Sequence, residues 1–92
     1  MKYFAVFLEP ADQKKAQEYH QAHVDYVKQL CKEEKIVLVG KLHGAGGLII
    51  YQAESEEALV AWLKQDPFIQ QGARTYTIYE WDMHTAAEYI EK

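Results

Sequence analysis

His23 is the residue of this chain best placed for acid-base chemistry, because an imidazole stands there within a stripe of otherwise apolar and aromatic residues. The stripe advances in steps of three, four, four and three residues, which puts its members on one face of a helix. Its members are Ala16, Tyr19, His23, Val27 and Leu30. A buried imidazole needs a partner, since burial without a hydrogen bond costs about 1–3 kcal/mol. A nearby carboxylate would supply that partner and stabilise the charged ring.

Asp66 is the carboxylate that suits this role. If the helices of the chain cover one face of a sheet, Asp66 can orient the His23 ring and leave its second nitrogen free to take or give a proton. A structural interpretation is also open, in which Asp66 only caps the turn that begins at Pro67. His23 would then be a hydrogen-bonded core residue. The residue pattern alone leaves both interpretations open.

A metal or a nucleotide cofactor is not predicted. His20 and His23 are three residues apart and His43 lies on a glycine-rich turn, but neither an HExxH motif nor a cysteine pair completes a ligand set. The glycines of that turn match neither the Walker spacing nor GxGxxG, and a strand rather than a helix follows them. We therefore expect chemistry that uses no metal and no cofactor.

Composition predicts one folded domain spanning residues 1–92, with 49% hydrophobic, 26% charged and 13% aromatic residues. A formal charge of -4 without a basic run is unfavourable for nucleic-acid binding. No apolar run approaches the roughly 20 residues of a membrane span. Cys31 is the only cysteine, and the first residues resemble a strand rather than a signal peptide, so we expect a cytoplasmic protein that binds neither nucleic acid nor membrane.

The order of the predicted elements indicates the fold class. The predicted elements are a strand over 2–8, a helix over 12–34, a strand over 36–40, a turn over 42–47, a strand over 48–52, a helix over 55–65, a short turn after Asp66, a strand over 74–81 and a weakly helical tail over 82–92. This is the split βαβ (βαββαβ) pattern of a ferredoxin-like α+β domain. It predicts a core over residues 2–81, with a four-stranded antiparallel sheet and both helices on one face.

The other face of the sheet is predicted to be covered as well. The strands do not alternate between apolar and polar residues, so both faces carry apolar side chains. We expect a second copy of the chain to pack there and form a homodimer. The alternative is a ligand pocket on this face that the tail covers. Analytical ultracentrifugation separates the two.

The chain resembles the YciI-like (YCII-related) family of small ferredoxin-like proteins. The matching segments are the strand over 3–8, His23-Val24-Asp25-Tyr26-Val27, Glu56-Glu57-Ala58, Asp66-Pro67-Phe68, Gly72 and a strand ending in Trp81. The resemblance implies a dimeric α/β barrel in which two copies pair sheet to sheet. It also implies an active site at the first-helix histidine and the aspartate of the Asp-Pro-Phe segment, here His23 and Asp66. One branch of the family resembles a dehydrochlorinase that acts on a chlorinated hydroxyquinol, which fits cofactor-free proton abstraction.

The pattern and the resemblance together predict a small cytoplasmic enzyme for proton transfer, elimination or isomerisation on a small, ring-derived molecule. His23 would be the acid-base residue and Asp66 would position and charge it. His20, Tyr26 and His43 are predicted to line the substrate pocket. His20 replaces an arginine that is common in the family, which changes the expected charge at the pocket mouth. The competing hypothesis is a non-enzymatic module that binds a small ligand or a partner.

Overall fold

The chain folds into four strands and five helical segments, which the computed structural model describes over residues 1–92. In chain order these are β1 (Lys2–Pro10), α1 (Gln13–Glu18), α2 (His20–Lys32), β2 (Ile36–Leu42), β3 (Gly46–Ala53), α3 (Glu56–Leu63), α4 (Pro67–Gln70), β4 (Arg74–Trp81) and α5 (Ala86–Ile90). The strands form one antiparallel sheet in the order β2-β3-β1-β4. The ferredoxin-like α+β fold expected from the sequence is therefore confirmed.

The core lies between the sheet and the helices on one of its faces. On β1 the alternate residues Phe4, Val6 and Leu8 are buried there, and β3 adds Ile49 and Tyr51 through its register with β1. The helices close this layer with four buried residues, Val27, Leu30, Leu59 and Leu63. Full burial of such side chains stabilises a domain by about 1.5–3 kcal/mol each. This layer holds α2 and α3 in fixed positions above the sheet.

The opposite face of the sheet is apolar, and its outer strands β2 and β4 expose large apolar side chains within one chain. A row of residues crosses all four strands there, from Leu38 through Ile50 and Ala5 to Tyr79. Leu38 is 60% exposed and Tyr79 is 58% exposed, and Trp81 beside them is 44% exposed. The tail ends in the short helix α5, which has no buried residue, and it leaves Leu38, Tyr79 and Trp81 exposed.

The first helix differs from the sequence expectation of one helix over 12–34. Tyr19 leaves the helical conformation at φ -100° and ψ 11°, so the chain forms α1 and α2 instead. Tyr19 packs against a second small cluster that contains Ala16 and Phe68. The helical periodicity of the sequence continues across a break of a single residue, so the pattern does not reveal the break. Tertiary packing around Tyr19 therefore decided that the helix is divided.

The hairpin between β2 and β3 is tighter than predicted. The strands extend to Leu42 and from Gly46, so that Leu42 pairs with Gly46 and Lys41 with Gly47. Glycine weakens a strand but its backbone still forms ladder hydrogen bonds, so the glycines did not mark the strand ends. None of the helices combines the length and the apolarity that crossing a bilayer demands.

Candidate active site

His23 and Asp66 are in direct contact, although they are 43 positions apart in the sequence. Nδ1 of His23 lies 2.8 Å from Oδ1 and 3.0 Å from Oδ2 of Asp66. The His23 side chain is 14% exposed, whereas that of Asp66 is 0% exposed. The carboxylate is thus sealed from solvent and the ring is its only side-chain partner.

Asp66 is placed by its own local sequence. It is the N-cap of α4, where its Oδ1 accepts the backbone N–H of Phe68 at 2.9 Å and Pro67 occupies the first helical turn. The capping role predicted for Asp66 is therefore confirmed. The same carboxylate also contacts the imidazole, so the two interpretations left open by the sequence are compatible in the folded chain.

The hydrogen bond to Asp66 selects one state of the imidazole. A carboxylate can only accept, so Nδ1 carries the proton and donates it, and Nε2 has a free lone pair in the neutral ring. The ring is held in its plane by Phe68, which stacks on it at a centroid distance of 3.9 Å and an interplanar angle of 7°. No protein atom forms a hydrogen bond with Nε2. This arrangement suits an imidazole that takes a proton from a bound molecule.

A cavity of about 630 Å³ opens beside His23, within the range of small-molecule sites. Its apolar walls come mainly from Leu8, Val24, Val39 and Phe68. Its charged or titratable lining residues are His20, His23, Lys41 and Arg74. No aspartate or glutamate lines the cavity, so Lys41 and Arg74 give its wall a positive charge, although the formal charge of the chain is -4.

The structure brings some of the predicted site residues together and separates others. His20 lines the cavity with His23. Tyr26 does not line it, because its hydroxyl donates a hydrogen bond of 2.7 Å to the carbonyl of Trp62 and its ring packs against the core. His43 is exposed on the turn between β2 and β3 and lines neither this cavity nor the smaller one next to it.

The comparisons with known proteins agree with this fold. The model of the YCII-related domain matches residues 1–82. The chain belongs to this family. No curated protein sequence matches this YCII-related domain. A solved structure similar to it is 5-chloro-2-hydroxyhydroquinone dehydrochlorinase from Burkholderia phenoliruptrix AC1100, in complex with 2,5-dihydroxybenzoquinone. The TM-score is 0.74 and the identity is 20%, over 91% of this chain and 96% of that one, which shows a shared fold.

The three histidines of the helix and the hairpin form no metal-ligand set in this YCII-related domain. No three His, Cys, Asp or Glu side chains lie close enough together to hold a metal ion. His23 already uses Nδ1 on Asp66, and His43 lies outside the cavity.

Two residues of the cavity wall are not predicted from the sequence as site residues. In the sequence Phe68 stands out only as part of the Asp-Pro-Phe segment, yet its ring stacks on His23. The sequence places Arg74 only in a strand, yet Arg74 lines the cavity and its guanidinium carbon lies 5.4 Å from the centre of the Phe68 ring. One signal was available, because Arg74 is the only arginine in the chain. The direction of the Arg74 side chain depends on how the strands pair in the sheet, and the neighbouring sequence does not reveal it.

The hydroxyl of Tyr26 is expected to stabilise the domain at neutral pH and to lose this effect in alkali. Burial raises the pKa of Tyr26, and the negative charges of Asp66 and then Glu33 raise it further. Because the folded pKa lies above the unfolded value of about 10, the contribution is complete below pH ~10 and disappears as the pH rises through the folded pKa. Tyr26→Phe should cost about 1 kcal/mol at neutral pH, since the Trp62 carbonyl loses its donor.

Urea unfolding of the wild type and Tyr26→Phe near neutral pH and above pH ~11 measures this effect. The stability difference between the two proteins should shrink at the higher pH. A difference that is the same at both pH values would show that the Tyr26 phenol does not titrate differently in the folded domain.

Proposed function

We propose that this YCII-related domain is a small enzyme that uses His23 and Asp66 for cofactor-free proton transfer, elimination or isomerisation. The observation that supports this most directly is the state of the imidazole. Its Nδ1 is bound to a fully buried carboxylate, and the ring borders a 630 Å³ cavity with no protein partner on Nε2. An imidazole that is oriented through one nitrogen and has the other nitrogen free can act as a general acid or base.

The proposed reaction requires only two groups of the protein, the His23 imidazole and the Asp66 carboxylate. Nε2 of neutral His23 takes a proton from a carbon of the bound molecule, and the electron pair of the broken C–H bond forms a new double bond. In an elimination this expels a leaving group such as chloride, and in an isomerisation the pair moves onto a conjugated oxygen. The imidazolium that forms is stabilised by Asp66, whose charge is screened little because it is buried. Return of the proton to product or water completes the cycle.

The proposed substrate class is a small molecule derived from a six-membered ring. The cavity volume and its apolar walls suit one ring, and the dehydrochlorinase that shares this fold is bound to such a compound. His20 is proposed to contact a polar substituent, since it lines the cavity beside His23. Tyr26 and His43 are not part of this proposal, because neither lines the cavity.

The test is a panel of hydroxylated and chlorinated quinols and quinones, including 2,5-dihydroxybenzoquinone, incubated with the protein in D₂O. Proton NMR measures exchange of ring C–H protons for deuterium, and a chloride electrode measures release from chlorinated members. We expect at least one compound to exchange or eliminate faster than in buffer. Catalysis of no compound would contradict the proposal for this substrate class.

A non-enzymatic role is the second candidate, and one observation favours it. Asp66 caps α4 while it contacts His23 on α2, so the pair also links two helices. In that case His23 would be a satisfied polar residue at the edge of the core, and the cavity would only bind a ligand. Substitutions that preserve this link and remove Nε2 distinguish the two functions.

We propose further that the chain forms a homodimer through the open face of its sheet, in a reducing cytoplasm suited to its single cysteine. The exposed apolar side chains of Leu38, Tyr79 and Trp81 on this face support the dimer, since such patches on single-sheet domains usually mark contacts. In sedimentation velocity at micromolar concentration we expect a dimer, and Tyr79→Glu should convert it to monomer. Ala61→Glu, on the exposed side of α3, adds the same charge and should leave the dimer intact. A wild type that sediments as a compact monomer would contradict this.

A further inference from the structure

Arg74 is a cation on the wall of the cavity that has no ion-pair or hydrogen-bond partner in the protein. None of the four ion pairs in the structure includes it. Its Nε atom is buried and has no hydrogen-bond partner. Buried polar atoms in native proteins are nearly always paired, and a charged donor left unpaired is costly. Nε itself is closed off from the cavity, but the two Nη atoms of Arg74 form no hydrogen bond within the protein either, so a molecule in the cavity is expected to pair with them.

The surroundings of Arg74 hold the guanidinium in place. Gly46 has a φ of +90°, and a Cβ there would clash with the Leu8 carbonyl oxygen and lie 2.9 Å from Nη1 of Arg74. The absence of a side chain at Gly46 thus leaves the space through which the arginine passes. On another side the guanidinium approaches the ring of Phe68, the same ring that stacks on His23. An arginine held by packing before binding loses less conformational entropy when a ligand binds.

The charge around Arg74 favours an anion. Lys41 lines the same cavity, and both residues also border the adjoining cavity of about 280 Å³. The carboxylate nearest the catalytic imidazole, Asp66, is 0% exposed and already occupied by His23 and the Phe68 N–H. No acidic side chain therefore competes for the guanidinium inside the cavity. Its planar fork of donors matches a carboxylate or an ionised phenol.

We propose that Arg74 is a substrate-binding residue that holds the anionic group of a planar, otherwise apolar molecule in the cavity. The ring of that molecule would contact the apolar walls, with its reacting carbon towards Nε2 of His23. This deepens the proposed function by naming the substrate as an organic anion. It rests on that function only for the statement that the cavity is the substrate site.

Benzoate and benzamide are suitable probes, because they have nearly the same shape and only benzoate is charged. Calorimetric titration at a pH above the range in which histidine is charged should show benzoate binding at least about tenfold more tightly than benzamide, or about 1.4 kcal/mol. Arg74→Gln should remove this preference by weakening benzoate alone. Arg74→Lys should retain part of it, because the charge stays and the planar fork is lost.

Lys28→Gln is the matched control, since it removes one positive charge from the exposed face of α2 and should leave both affinities unchanged. Equal binding of the two probes to the wild type, no benzoate binding at millimolar concentration, or unchanged benzoate binding by Arg74→Gln would each overturn the proposal. If Arg74→Gln does not fold by circular dichroism, the Arg74→Lys result and the loss of wild-type benzoate affinity with added salt decide it.

The binding test is independent of turnover. A variant that lacks Nε2 of His23 should keep the preference for benzoate, because the guanidinium is untouched. If Arg74→Gln loses the preference for benzoate and neither the wild type nor any variant shows catalysis, the anion-binding role of Arg74 is supported and the enzymatic function is contradicted. If Arg74→Gln keeps the turnover of the wild type, the enzymatic function is supported and the role of Arg74 in substrate binding is contradicted.

Discussion

His23→Asn is expected to lower turnover roughly 100-fold to 10,000-fold, the range that general acid-base catalysis contributes. The choice of asparagine is dictated by geometry. Its side-chain amide nitrogen occupies the position of Nδ1 and can still donate to Asp66, while nothing replaces Nε2. The link between α2 and α4 is thereby preserved and only the proposed base is lost. Turnover is measured by the deuterium-exchange and chloride-release assays described above.

The cost of His23→Asn in stability should be small, about 1–2 kcal/mol, mainly from the lost stacking on Phe68. His43→Asn is the matched control, since it makes the same change on an exposed turn outside the cavity and should keep full turnover. Full turnover by His23→Asn would remove His23 from the mechanism. The contact between His23 and Asp66 would then serve only to stabilise the fold.

Asp66→Ala is expected to lower the free energy of unfolding by about 3–5 kcal/mol, the cost of breaking a buried pair. Two consequences of the substitution act together. The Phe68 N–H loses its cap, and the largely buried imidazole loses the acceptor of its Nδ1 proton. For a domain of this size such a loss is a large part of a total stability of about 5–15 kcal/mol. Urea unfolding followed by circular dichroism gives the value.

Two comparisons separate the contributions at Asp66. Asp12→Ala removes the N-cap of α1, an exposed capping bond to the Lys15 N–H, and should cost only about 1 kcal/mol. Asp66→Asn keeps an oxygen for the Phe68 N–H but turns a donor towards Nδ1, so the ring must carry its proton on Nε2. This variant should be much more stable than Asp66→Ala and nearly as inactive as His23→Asn. Equal stability losses for Asp12→Ala and Asp66→Ala would show that the contact with His23 contributes nothing.

The positions of the strands and helices were predictable because their signals are local. The apolar stripe around His23, the Asp66-Pro67 cap and the uninterrupted strand over Arg74–Trp81 each depend on neighbours a few residues away. The same local view failed at Tyr19 and at the glycines of the β2-β3 hairpin. At both places the backbone could follow two courses, and contacts with distant residues selected one of them.

The candidate site was predictable only in part. His23 and Asp66 could be named, since an imidazole on an apolar face needs a partner and a capping aspartate has a spare oxygen. Tyr26 is close to His23 along the helix, yet its side chain points to the Trp62 carbonyl, and this depends on where α3 lies. Arg74 shows the opposite case, because nothing in its neighbours along the chain places it beside Phe68.

The sequence by itself determined the order of elements, the apolar character of both sheet faces and the presence of an imidazole that needs a carboxylate. These properties follow from periodicity and capping, which act over one or two turns of chain. Only the tertiary structure decided that Nδ1 meets Asp66 at 2.8 Å, that Gly46 makes room for Arg74 and that the cavity has no acidic wall. These contacts depend on strand register and on the packing of helices across the sheet, where a shift of one residue would move every side chain of the site.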